Sequence, residues 1–124
     1  MDKETYTLKQ AGQRLDVPVD VVRKICKMGL IRGIRRKRNG YRVLSEEQME
    51  VLGVLARLRQ AGFEMGELKK YANLQRQGNK TILERKGMLE TQKRQLWLQL
   101  QDLQRGIDYI ERTIEILDDD GLRK

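Results

Sequence analysis

Arg35 to Gln48 reads RRKRNGYRVLSEEQ. Four consecutive cations lead into Asn39-Gly40, a pair that tolerates positive φ and is the strongest short signal for a hairpin turn. Tyr41-Arg42-Val43-Leu44 then reads as a returning strand. Ser45 to Gln48 carries the capping-box pattern, with Ser at the cap and Gln three residues on, that starts a helix. The basic run therefore leads into the tip of a β-hairpin. That geometry argues against a flexible tail or an import tag and for a shaped holder of something negatively charged.

Upstream, Thr7-Leu8-Lys9-Gln10 repeats the capping-box pattern, and Leu8, Ala11 and Leu15 recur at helical spacing. Asp16-Val17-Pro18 interrupts this helix. Asp16 or Val17 can cap a second one, with Pro18 in its first turn, where the missing N–H is harmless. The second helix is expected to run to about Met28 and to end at Gly29 in a left-handed cap. Its apolar stripe is Val22, Ile25 and Met28, which leaves Val19, Asp20, Arg23, Lys24 and Lys27 on the other faces. Two short helices with a tight turn, followed by a basic hairpin beginning near Leu30-Ile31, make a winged helix-turn-helix. A helix of this kind suits a major groove, where cations meet phosphates or guanine edges and Asp accepts from cytosine. The hairpin cations would reach phosphates or the adjacent minor groove. Tyr41 reads equally as a phosphate donor and as a cross-strand packing residue.

The charge agrees. The net charge is +8, and residues 1–45 hold all of it, with twelve Lys/Arg against four Asp/Glu; the rest of the chain carries fourteen of each. A one-sided field of this kind suits a polyanion, most simply nucleic acid. The chain has one cysteine, Cys26, and no histidine. That removes an intrachain disulfide, a His/Cys metal cluster within one chain and the commonest general base. With no phosphate-binding glycine loop and no nucleophile-base set, the expectation is a binding protein without cofactors, not an enzyme. Transmembrane runs and a signal peptide are also missing, so a cytoplasmic chain with no membrane partner is expected. At 124 residues it is one domain, or a small domain with an extension.

Downstream, Met49, Leu52, Leu55 and either Leu58 or Ala56 give a third helix its buried face, and Gly62-Phe63 ends it. Glu64 caps a fourth, with Met65, Leu68 and Tyr71 facing the core. Gln75 to Lys80 (QRQGNK) reads as a loop. Beyond it, Ile82, Leu89, Leu96, Leu103, Ile110 and Leu117 lie seven apart, interleaved with Lys86, Lys93, Leu100, Ile107 and Ile114. These are the d and a positions of heptads, fully apolar from Leu96 to Leu117. One helix over residues 82–117 would be about 54 Å long. Its narrow seam favours pairing with a second copy over folding back on its own domain. Asp118-Asp119-Asp120-Gly121 is expected to end the helix, since acids oppose the dipole there. The expected organisation is mainly α. A winged helix-turn-helix domain occupies 1–75, a linker 76–81, a coiled-coil helix 82–117 and a short tail 118–124.

This order, together with RKICKMGLI (23–31), RRKRNGYRVLS (35–45) and LRQAGFEMGELKKY (58–71), resembles the MerR family of bacterial transcription regulators. The likeness covers residues 5 to about 75 closely and the heptad helix in kind. It implies an antiparallel coiled-coil homodimer whose two winged domains contact successive major grooves of a pseudo-palindromic double-stranded operator. It also implies promoter DNA bent and untwisted so that RNA polymerase can read both promoter elements, which is control by deformation. The candidate DNA-contacting residues are Thr7, Val19, Asp20, Arg23, Lys24, Lys27, Arg35, Arg36, Lys37, Arg38, Tyr41 and Arg42. The candidate dimerisation residues are Leu89, Leu96, Leu100, Leu103, Ile107, Ile110, Ile114 and Leu117.

The sequence departs from that pattern in two ways. Lys24 and Ile25 stand where many members carry two aromatic residues. No cysteine follows Cys26, and only seven residues follow Leu117, so neither thiolate metal sensing, nor a thiol switch in the third helix, nor an appended drug-binding domain is expected. Cys26 itself reads as a small buried hydrophobe or, with Lys24 and Lys27 nearby, as a redox switch. Two other functions fit parts of the pattern: an architectural or excisionase-like DNA binder, and a coiled-coil adaptor whose basic domain binds RNA or an acidic protein.

Overall fold

A computed structural model of the chain describes residues 4–122. Residues 1–3 and 123–124, which open the expected first domain and close the expected tail, lie outside the described residues. The element order is β1 (Thr5–Thr7), α1 (Leu8–Leu15), α2 (Val19–Lys27), β2 (Arg35–Arg36), β3 (Arg42–Ser45), α3 (Glu46–Gln60), α4 (Met65–Arg76), a 3-10 turn (Gly78–Thr81) and α5 (Ile82–Leu122). The chain divides into two units, Met1–Lys86 and Gly87–Lys124.

In the first unit both capping boxes form. Thr7 Oγ1 accepts from the Gln10 N–H at 3.2 Å and Ser45 Oγ from the Gln48 N–H at 3.2 Å. Each glutamine answers through its Oε1, which accepts from the cap residue's own N–H. These reciprocal bonds satisfy helix donors that would otherwise be orphaned, and so fix where α1 and α3 begin. At α4, Glu67 accepts from the Glu64 N–H at 3.0 Å. The core gathers Val22, Ile25, Leu44, Leu52, Leu55, Phe63 and Leu68, all fully buried. Phe63 meets Tyr71 edge to face with ring centroids 6.2 Å apart. Large apolar side chains buried in this way contribute about 1.5–3 kcal/mol each.

The joint between α1 and α2 differs in detail from its expected form. Asp16 adopts left-handed backbone (φ 56°) as the C-cap of α1, and the N-cap of α2 is Pro18. A short polar residue tolerates that conformation, and Pro18 enters α2 already extended. Val17 donates from its N–H to the Gly12 carbonyl at 2.8 Å. A Cβ on Gly12 would sit 2.7 Å from the Val17 carbonyl oxygen. Gly12→Ala should therefore prise the two helices apart and cost about 1–3 kcal/mol. A urea midpoint equal to that of the unsubstituted protein would show that the turn has slack.

The sheet holds a strand that the sequence did not reveal. β1 pairs antiparallel with β3 (Tyr6↔Leu44), and β3 pairs with β2 (Arg36↔Arg42), in the order β1-β3-β2. Three residues are too few to show alternation, and the partner strand lies far along the chain. Tyr6 anchors this edge. Its hydroxyl donates to Glu46 at 2.7 Å, accepts from Arg14 Nη1 at 2.9 Å, and lies 3.1 Å from Glu4. The Glu46 hydrogen bond, with burial and Glu4 adding to it against Arg14, leaves the phenol pushed up to about 12.

Other expectations are corrected. Met28 is 40% exposed, and Cys26 takes its place beside Val22 and Ile25 in the core. Met28 is already the C-cap of α2, where the helix has ended and Gly29 turns at φ 72°. Leu30 and Ile31 are buried but are not strand. Positive φ at Gly29 and Gly33 turns the chain twice and delays β2 to Arg35. On α3 Ala56, not Leu58, is the buried residue, while Met65 on α4 is only half-buried. The expected loop over Gln75 to Lys80 is the last turn of α4 followed by a 3-10 turn. Gly78 (φ 82°) redirects the chain, and buried Thr81 donates from Oγ1 to the Leu74 carbonyl at 2.6 Å. The second unit is helical throughout its described residues: α5 passes Leu117 and the acid run and reaches Leu122. Aspartates weaken a helix end without breaking it, because they keep their N–H donors.

Candidate nucleic-acid interface

The wing is held at both ends. At its tip, Gly40 donates to the Lys37 carbonyl and Lys37 to the Tyr41 carbonyl, each at 2.8 Å. Gly40 has φ 86°, whereas Asn39 is not in the positive-φ region. This is a longer turn closed by a left-handed glycine, not the two-residue Asn-Gly turn that the dipeptide suggests. Asn39 contributes through its side chain instead, with Oδ1 accepting from the Tyr41 N–H at 3.2 Å. At the root, Gln48 Nε2 donates to the Arg32 carbonyl at 2.9 Å. The glutamine that caps α3 thus also fastens the loop from which the wing rises.

On α2, Val22, Ile25 and Cys26 face inward. That turns Asp20, Arg23, Lys24 and Lys27 to solvent and leaves Val19 half-buried. Arg23 lies 3.3 Å from Asp20, both largely exposed, so the pair orients the guanidinium and adds little stability.

The two elements meet. Arg23 and Lys27 of α2 line one depression of about 300 Å³ together with Arg36, Gly40, Tyr41 and Arg42 of the wing and Leu8 of α1. Four of its seven lining residues are cations and none is a carboxylate. Arg36 Nη1 is braced on the Gly40 carbonyl at 3.3 Å. Tyr41 is 67% exposed, which disfavours its reading as a packing residue and presents the ring and hydroxyl outward. Fixed like charges around a concave surface attract a polyanion more strongly than the same charges dispersed.

Arg35, Lys37 and Arg38 are exposed on the same hairpin, and Lys24 on α2, but none of them lines the depression. Asp20 and Val19 lie outside it as well. Thr7 is half-buried at the start of α1, its Oγ1 occupied as a cap. Leu8 and Gly40 also line the depression; the sequence shows Gly40 only as turn chemistry and Leu8 only as an apolar position of α1, and helical spacing does not tell which apolar residue ends at a rim.

Cys26 is 7% exposed, and burial pushes its thiol up, with Arg42 opposing more weakly. That is the environment of a packing residue and not of an activated thiolate. No cluster of metal-binding side chains occurs among the described residues. No described helix is long and apolar enough to cross a membrane.

In the second unit the seam side chains Leu89, Leu96, Leu100, Leu103, Ile107, Ile110, Ile114 and Leu117 are all exposed, Leu103 to 66%. Trp97, Leu98, Tyr109 and Ile116 are exposed too, off the seam. So long an apolar stripe in water marks an interaction surface.

Residues 6–75 match the family model described as MerR HTH family regulatory protein. An uncharacterized HTH-type transcriptional regulator of Haemophilus influenzae is 27% identical over 107 residues, which cover 86% of this chain and 79% of the relative. Among solved structures, HiNmlR, a MerR family regulator lacking the sensor domain and bound to promoter DNA, aligns with a TM-score of 0.71 at 27% identity. The alignment covers 85% of this chain and 80% of that one. A MerR family transcriptional regulator from Bacillus thuringiensis aligns with a TM-score of 0.72 at 23% identity, over 90% and 97% of the two chains, a likeness of fold.

Proposed function

Because the chain belongs to the MerR family of helix-turn-helix regulatory proteins, we propose that it is a homodimeric transcription regulator that reads a pseudo-palindromic site in double-stranded promoter DNA. The observation that carries this reading is the depression in which Arg23 and Lys27 of α2 face Arg36, Tyr41 and Arg42 of the wing. A helix in the major groove needs a second hold on the backbone to fix its angle, and a basic wing beside it supplies that hold. Arg23 is assigned to base edges with Asp20 as its orienting partner, and Lys24, Lys27 and Arg36 to phosphates. Arg35, Lys37, Arg38, Arg42 and the Tyr41 hydroxyl extend the grip along the backbone, and Thr7 sits at the edge of this surface.

The exposed heptad seam of α5 joins two copies, so two winged domains meet successive major grooves. If their spacing in the dimer differs from that of relaxed B-DNA, binding bends or untwists the duplex, and the geometry that RNA polymerase meets at the promoter changes. The protein acts on DNA in the cytoplasm.

Selection of bound duplexes from a random pool tests this. One short inverted repeat, bound in preference to single strands and to RNA, is expected. Several phased sites without a repeat would favour an architectural binder, and equal affinity for RNA an adaptor.

A further inference from the structure

The antiparallel direction of the proposed dimer is the one that the family resemblance implies, and the charge pattern of the second unit agrees with it; what is left open is which residues fix the register. Its first half, residues 87–100, has a net charge of +1, from Lys93 and Arg94 against Glu90. Residues 108–122 have a net charge of −5, from Asp108, Glu111, Glu115 and three consecutive aspartates against Arg112. A parallel pair would stack the acidic ends on each other and set Lys93, a seam residue, against its own copy. An antiparallel pair puts the acidic end of each helix beside the basic part of the other.

Register follows from matching the apolar residues. In an antiparallel pair, residues at the same level have numbers with a constant sum. With the centre between Leu100 and Leu103, Leu100 meets the partner's Leu103, Leu96 meets the partner's Ile107, and Leu89 meets the partner's Ile114. Lys93 then falls level with the partner's Ile110, next to the partner's Glu111. A shift of one heptad in one direction puts Leu89 opposite the partner's Gly121. A shift in the other runs Leu117 past the start of the partner's helix. We propose that Lys93 and Glu111, both exposed, are a pair that fixes this register: each Lys93 reaches out of the seam to the partner's Glu111. A charged residue at a seam position gives up some stability and fixes which alignment forms.

The inference rests on the dimer reading, and charge reversal in the full chain separates the two. Lys93→Glu and Glu111→Lys should each raise the dimer dissociation constant roughly tenfold, because each dimer then holds two repulsive contacts. The double variant Lys93→Glu/Glu111→Lys should return to within about threefold of the unsubstituted protein, as should an equimolar mixture of the two single variants. Sedimentation equilibrium reads all four, with circular dichroism confirming that the helix is retained. Single variants with unchanged affinity would mean that Lys93 and the partner's Glu111 do not meet, and would overturn the proposal. So would rescue of Lys93→Glu by Asp118→Lys in place of Glu111→Lys, which would put the register one heptad away. An unsubstituted chain that stays monomeric would instead remove the dimer reading itself.

Discussion

Leu103→Asp is expected to convert the protein to a monomer at concentrations where the unsubstituted chain is dimeric. Leu103 lies on the fully apolar stretch of the seam and is 66% exposed, and in the proposed dimer the partner's helix covers it. In the dimer a carboxylate there would face an apolar layer in each half of the interface. Burying an unpaired charge costs several kcal/mol, and the twofold makes it happen twice, so dissociation should strengthen by more than about a hundredfold. The winged domain should keep its fold, because α5 residue 103 belongs to the second unit. Affinity for an inverted repeat should then drop to that for a single half-site, since the two domains no longer bind as one ligand. Sedimentation alongside the thermal midpoint of the variant checks both parts. A dimer that survives would mean the seam is misplaced.

Arg23→Ala and Arg36→Ala should both weaken DNA binding, but in different ways. Arg23 projects from α2 into the depression, where a base contact is possible. Its loss should cost about 1–3 kcal/mol per half-site and relax the preference for one base pair. Arg36 belongs to the wing and is braced on the Gly40 carbonyl. Its loss should weaken binding to all duplexes alike. It should also reduce the slope of log affinity against log salt by about 1 for each half-site. Fluorescence anisotropy across a salt series with selected and scrambled duplexes separates the two signatures. An Arg36→Ala protein with unchanged affinity and slope would sink the wing assignment.

Much of this surface was legible because its signals are local. A capping box is four residues long, and Thr7/Gln10 and Ser45/Gln48 both form as their spacing implies. The hairpin was readable from Asn39-Gly40, although the turn uses positive φ only at Gly40. What stayed hidden depends on distant partners. β1 exists because β3 offers it an edge, and nothing within Thr5–Thr7 says so. Met28 leaves the core because α2 ends at Lys27, and Cys26 enters it because it lies four residues on from Val22, on the same face. Thr81 is buried because its hydroxyl closes on the Leu74 and Gly78 carbonyls, a role invisible in a polar run. For the candidate site, the sequence supplied a charged helix and a charged hairpin. That Arg23 and Lys27 share a depression with Arg36 and Arg42, whereas Lys24, Lys37 and Arg38 do not line it, depends on α1 and α3, which pack against both α2 and β3 and so set the helix beside the wing.

In the proposed function α2 and the wing together grip duplex DNA, twice, through a symmetric dimer. A hydroxyl-radical footprint on a selected duplex tests it most directly. Two backbone patches related by a twofold axis and centred about one helical turn apart are expected, each lost at its wing-contacted phosphates in the Arg36→Ala variant. A single unpaired patch, or protection that Arg36→Ala leaves unchanged, would contradict the account.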